Sequence, residues 1–193
     1  QMCIRDSYRP EMKIKAQLTE AGSNKNIQQA IDQAIKDQDS IGGIITCKVN
    51  GMPVGLGEPF FDSIESVISH LVFSIPAVKG IEFGSGFQAS SMKGSEHNDA
   101  ITDAQGTLAT NHSGGISGGI SNGNELLFRV AVKPTSSTPK TQTSYNKDTG
   151  TMESFQVKGR HDLCIALRVP VVVEAVTALA LIDLIMLNQS KNC

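Results

Sequence analysis

Residues 171–187 are apolar almost all the way round a helical wheel, interrupted by the charges of Glu174 and Asp183, and Pro170 stands where a helix can begin. A helix of that kind has to be covered on several sides, so the rest of the chain must supply layers around it. The run falls short of a membrane span, and is read as a buried helix of a globular fold.

Candidate layers precede it. Residues 24–37 carry Ile27, Ala30, Ile31, Ala34 and Ile35 at helical spacing, with Ser23 or Asn24 as a cap. Residues 44–49 are β-branched and end at the Asn50-Gly51 turn signal, which predicts a strand. Asp62 opens a second amphipathic helix, with Glu65 three residues on in a capping-box arrangement and Pro76 as its terminator. Strands are expected over 78–87, with glycine interruptions, over 126–132, and briefly over 152–157. Residues 89–111 and 133–150 read as long polar loops. Strands with glycine turns plus a buried helix predict an α+β fold in layers, within one domain.

Composition narrows the partners. With 193 residues, 39% of them hydrophobic, the chain can bury a substantial core. A net charge of −2 gives no electrostatic reason to expect nucleic acid or an anionic membrane, so any anion recognition must be local. Cysteines at 3, 47, 164 and 193 show no CxxC spacing and are read as reduced thiols of a cytosolic protein. Residues 1–7 have no periodicity and are set aside as a non-native scar, with no signal or transit peptide expected, leaving 8–193 as the folded part.

Chemistry concentrates in three places. Lys133, Pro134, Thr135, Ser136 and Ser137 follow a strand directly, offering an ammonium, hydroxyls and backbone N–H groups to a phosphate; the alternative is an ordinary Ser/Thr-rich surface loop. Upstream, two Gly-Gly pairs in 111–123 allow close backbone approach, but form no GxGxxG and no βαβ unit. Arg160, His161 and Asp162 place a donor fork, an imidazole and a carboxylate together, an arrangement that also suits a structural ion pair. His97, Asp99, Asp103 and His112 match no metal-ligand signature, and no metal site is expected.

These segments, with DSIGG at 39–43, GLGEPFFD at 55–62, IPAVKG at 75–80, GSEHND at 94–99 and RVPVVVEAVTALALID at the C-terminal end, resemble the chorismate synthases. The resemblance runs over most of the chain and corresponds to roughly the C-terminal half to two-thirds of the family's domain. It implies a sandwich of helices between antiparallel sheets, a homotetramer, and conversion of 5-enolpyruvylshikimate 3-phosphate to chorismate and phosphate by anti-1,4-elimination with reduced flavin mononucleotide (FMN). By resemblance, Pro76, Ala77, Gly118, Arg160 and residues Lys133 to Ser137 contact the flavin. Asp162 corresponds to the carboxylate that helps move the substrate proton.

The family's two functional histidines, its substrate-binding arginines and an Arg-Ser flavin motif have no counterpart here, so this chain alone is expected to turn over little or nothing. The resemblance also carries an association with NADP. No nicotinamide-binding region is visible, so an external flavin reductase or reductant is the expected source of electrons. A catalytically inactive flavin- or phosphate-binding module is the second reading, and a metal-dependent phosphate-ester hydrolase built on His97, Asp99 and His112 the third.

Overall fold

A computed structural model describes residues 11–159 and 161–191. Its centre is an antiparallel sheet of four strands: β1 (Lys13–Ala21), β2 (Gly43–Asn50), β3 (Val78–Phe83) and β6 (Leu126–Val132), in the order β1-β2-β6-β3. Alternation explains why this sheet forms. In β6, Leu126, Phe128, Val130 and Val132 are buried while Leu127, Arg129 and Ala131 lie on the other face. The register sets Cys47 of β2 and Phe83 of β3 opposite Phe128, with the two phenylalanine rings 5.6 Å apart.

Helices cover that apolar face. α1 (Ile27–Asp37) follows β1, α2 (Ile64–Val72) precedes β3, and the long α4 (Pro170–Lys191) packs on β1, β2 and α2; α3 (Gly94–His97) is a single turn. Two small hairpins stand apart from the main sheet: β4 (Ile116–Ser117) with β5 (Ile120–Ser121), and β7 (Gln142–Asn146) with β8 (Thr151–Phe155). The layered α+β class read from the sequence is the one the chain adopts.

Helix α4 departs from expectation in two ways. It runs for 22 residues, because the polar residues after Leu187 stay helical, and by length and composition it is long and apolar enough to cross a membrane. It is also not covered all round. Val173, Thr177, Ala180, Leu181, Leu184 and Ile185 are buried, whereas Val171 is 67% and Met186 53% exposed. The packed side accounts for one of the two charges in the run: the Glu174 carboxylate accepts the backbone N–H of Ala16 at 2.8 Å, a donor that edge strand β1 would otherwise leave without a partner. Glu174→Ala is therefore expected to cost about 1–3 kcal/mol, the penalty of stranding that N–H, read as a lower denaturant midpoint with unchanged slope.

Local caps also shift. Asn24 forms a turn with Asn26, whose own side chain caps α1 by accepting from Gln29. Ser63, not Asp62, caps α2, and Phe60–Asp62 is a 3-10 turn before it.

Candidate functional site

The Lys133 to Ser137 tail leaves the end of β6 and is tied down on two sides. Antiparallel pairing of β3 with β6 sets Val78 opposite Val132, which brings the start of β3 beside the end of β6. The backbone N–H of Lys133 accordingly donates to the Ala77 carbonyl at 2.9 Å. Ala77 itself has φ of 70°, a left-handed conformation that costs a residue with a Cβ, so the Pro76–Ala77 corner is a strained point directly against the tail.

On its other side the tail crosses to residues 161–162. The Thr135 hydroxyl donates to the Asp162 carbonyl at 3.0 Å, and Ser137 Oγ lies 2.8 Å from His161 Nδ1. Three of the segments singled out in the sequence, 76–77, 133–137 and 161–162, thus meet in one corner. Arg160 lies outside the described residues.

The corner is rich in unused donors. Among the described residues, the Lys133 ammonium, the Ser136 hydroxyl and the backbone N–H groups of Thr135, Ser136 and Ser137 have no protein acceptor. One positive charge with hydroxyl and backbone donors close by in the chain is a donor set of the kind that binds anions, and it is compatible with a phosphate monoester such as that of FMN.

The Asp162 carboxylate is held by Arg168 at 2.9 Å, and its side chain is 42% exposed. The desolvation that would make it a strong proton acceptor is thus not supplied by the described residues alone. Asp162 does form an ion pair, but its partner is Arg168 and not a neighbour within the 160–162 trio among the described residues.

Gly118 is not part of that corner. It occupies the β4–β5 turn with Gly119, both at positive φ (61° and 89°), which is what a two-residue hairpin turn requires. The turn is anchored on α2 by a hydrogen bond from Ile64 N–H to the Gly119 carbonyl, and Gly114 and Gly115 pack against the opposite end of β6, a strand length or roughly 20 Å from Lys133. A Cβ at Gly118 would meet nothing within 4 Å, so the constraint inside this chain is backbone conformation, not space. A ligand touching both Gly118 and the tail must span the strand.

A cleft of about 680 Å³ lies beside this hairpin, with His97, Asn98, Asp99, Ser113, Asn122 and Asn124 in its wall. The His97 and His112 rings are 5.5 Å apart, yet no group of three metal-ligating side chains converges among the described residues. Asp99 is spent on structure: its carboxylate accepts from Thr110 Oγ1 at 2.6 Å, His112 N–H at 2.8 Å and Ser113 N–H at 2.9 Å. Burial pushes its pKa up, but the hydrogen bonds from Thr110, Ser113 and His112 outweigh that and hold it below the ordinary carboxylate value. A depressed folded pKa contributes stability that is full above the unfolded value and lost as pH falls through the folded one. Asp99→Asn should therefore melt lower than the parent at pH 7, with the gap closing toward pH 3; a gap independent of pH would remove the carboxylate's charge from the account.

Cys47 and Cys164 are free and buried, and burial raises both, Cys47 to about 12, which disfavours the thiolate. What the sequence reading missed is the role of DSIGG at 39–43, which lies behind the tail. Its signal in the sequence is the DSIGG motif itself, which carries part of the family resemblance.

Fold and corner together define an α+β protein with a donor-rich site suited to an anionic ligand. The family model described as chorismate synthase matches residues 4–186, which begins inside the 1–7 segment set aside above. A chorismate synthase from Chitinophaga pinensis is 62% identical over 183 residues, 95% of this chain and 55% of that protein. One from Lachnoclostridium phytofermentans is 47% identical over 173 residues, 88% of this chain and 47% of that protein. A crystal structure of a chorismate synthase superposes with a TM-score of 0.76 at 22% identity, over 97% of this chain and 60% of that one, and speaks to the fold. The chain belongs to the chorismate synthase family, and it spans about half the length of the curated relatives it matches.

Proposed function

We propose that this chain supplies the flavin-phosphate end of a chorismate synthase, a carbon-oxygen lyase that converts 5-enolpyruvylshikimate 3-phosphate to chorismate and phosphate in aromatic amino-acid biosynthesis. The observation that carries the reading is the set of unused donors on Lys133 to Ser137, held in place by Ala77 on one side and 161–162 on the other. Lys133 and the N–H groups of 135–137 hold the phosphate, with Arg160 adding a second cation. Pro76 and Ala77 pass the ligand along their backbone, and the glycine turn at 118–119 bounds its far end. Bound reduced FMN supplies electron density that helps the substrate's phosphate leave.

The protein's part is orientation and proton handling. Asp162 takes the proton that leaves the substrate side, and it becomes an effective acceptor once the rest of the site excludes water from it. Residues 8–193 then form one portion of a single domain, the complete protein is a cytoplasmic homotetramer, and an external flavin reductase or reductant, with NADP the associated nicotinamide, keeps the flavin reduced. The coverage of only about half of each relative favours a second reading for the isolated chain, a catalytically inactive flavin-phosphate-binding module.

Binding to FMN and to riboflavin, which lacks the phosphate, tests the cradle. FMN should bind more tightly, and Lys133→Ala should weaken FMN about 10-fold or more, the loss of one charge-assisted hydrogen bond, without changing riboflavin. Equal affinities for the two flavins would remove the phosphate from this corner.

A further inference from the structure

The segment DSIGG at 39–43 belongs to none of the roles above, yet it touches both walls of the corner. The Ser40 hydroxyl donates to the Thr135 carbonyl at 2.6 Å, across 95 residues of sequence. Next to it, the Ile41 N–H donates to the Leu163 carbonyl at 2.8 Å, one residue beyond Asp162. Gly42 lies so close to the tail that a Cβ there would sit 2.5 Å from the Val132 carbonyl oxygen and 3.1 Å from Pro134 Cδ. The segment is itself fixed: the Asp39 carboxylate accepts from the Ser40 N–H at 2.8 Å and pairs with Lys140 at 2.8 Å. α1 ends just before it with Gln38 in the left-handed conformation, so the chain enters the segment from a defined helix end.

We infer that Ser40, with Gly42 behind it, is a positioning element for the proposed phosphate cradle, fixing the carbonyl of Thr135 and with it the Ser136 N–H in the direction an anion would be held. A peptide group is planar, so holding the Thr135 carbonyl by Ser40 also fixes the direction of the Ser136 N–H on the same peptide. The Thr135 hydroxyl, bonded to the Asp162 carbonyl, is not free to hold that carbonyl itself. Ile41 is hydrogen-bonded to the segment carrying Asp162, so one short stretch contacts both the tail and that segment. The glycine at 42 is required by this contact, since any side chain would push the tail outward.

The inference rests on the cradle reading, and the test separates the two. In the full chain without ligand, 15N relaxation reports the order of residues 135–137. Ser40→Ala should lower their order parameters from the rigid range near ~0.85 toward ~0.6, while Ile45 and Phe128 in the sheet stay rigid. Ser40→Thr, which keeps the hydroxyl, should restore them, and Gly42→Ala should disturb the tail more than Ser40→Ala does. With ligand, Ser40→Ala should weaken FMN several-fold and leave riboflavin unchanged.

An unaltered tail in Ser40→Ala, or loss of order spread evenly across the sheet, overturns the inference whatever the flavin results are. If the parent chain shows no preference for FMN over riboflavin, the cradle reading fails, and the relaxation result still decides whether Ser40 orders the tail. If the parent prefers FMN and Ser40→Ala keeps that preference in full, the tail is a cradle but Ser40 does not position it.

Discussion

Asp162→Ala, placed in a chain completed with the residues that its relatives have and this one lacks, should lower chorismate formation about 100- to 10,000-fold, the range of a lost proton-transfer group. FMN affinity should stay close to the parent's, because the proposed phosphate donors lie on 133–137 and Asp162 contributes only its backbone carbonyl to their support. The competing account is that Asp162 merely pairs with Arg168. That pair is largely solvent-exposed, with Arg168 at 71% and Asp162 at 42%, and such pairs are worth about 0–1 kcal/mol. A structural role would show as a small stability change with turnover intact. Arg168→Ala separates the two further: it removes the ion pair and leaves the carboxylate, so turnover should survive.

Phe128→Ala should have the largest effect on stability. Phe128 is fully buried at the middle of the central strand β6, opposite Cys47 on one side and Phe83 on the other. Removing a buried aromatic ring costs about 3–5 kcal/mol through lost transfer energy and the cavity left behind. Whole domains are stable by only about 5–15 kcal/mol, so the variant should show a greatly lowered denaturant midpoint or fail to fold. Since β6 leads directly into Lys133, its loss should carry the proposed flavin site with it. Leu127→Ala, on the opposite and less buried face of the same strand, is the control and should cost far less. Equal losses at the two positions would contradict the assignment of the core face.

How much of this was legible depended on whether a segment carries its own pattern. β6 was read to its residue limits because Leu126 to Val132 is apolar and bounded by Glu125 and Lys133-Pro134. β2 was read within a residue at either end for the same reason. Strand β7 was invisible: Gln142 to Asn146 is polar on both faces, with no alternation to detect, and its existence depends on pairing with β8. Helix α4 was found by its hydrophobicity, but that same hydrophobicity suggested cover on every side, and composition cannot say which faces a given length of chain will bury.

The site divided along the same line. Residues that present donors, such as Lys133 and Ser136, announce themselves by type. The groups that aim them do not: Ser40 reaches Thr135 from 95 positions away, and the strain at Ala77 is a property of how α2 turns into β3. At Gly118, expected by resemblance to lie against a flavin, the constraint visible within this chain is its positive φ and not a crowded neighbour.

The most direct test is a chimera in which the residues of the Chitinophaga pinensis chorismate synthase that this chain does not match are joined to residues 8–193, assayed for chorismate with 5-enolpyruvylshikimate 3-phosphate and reduced FMN. Chorismate and phosphate released in equal amounts, with none formed by residues 8–193 alone, is the result expected of a flavin-holding portion of a lyase. A folded chimera that binds FMN and forms no chorismate would contradict it and leave the chain as a binding module.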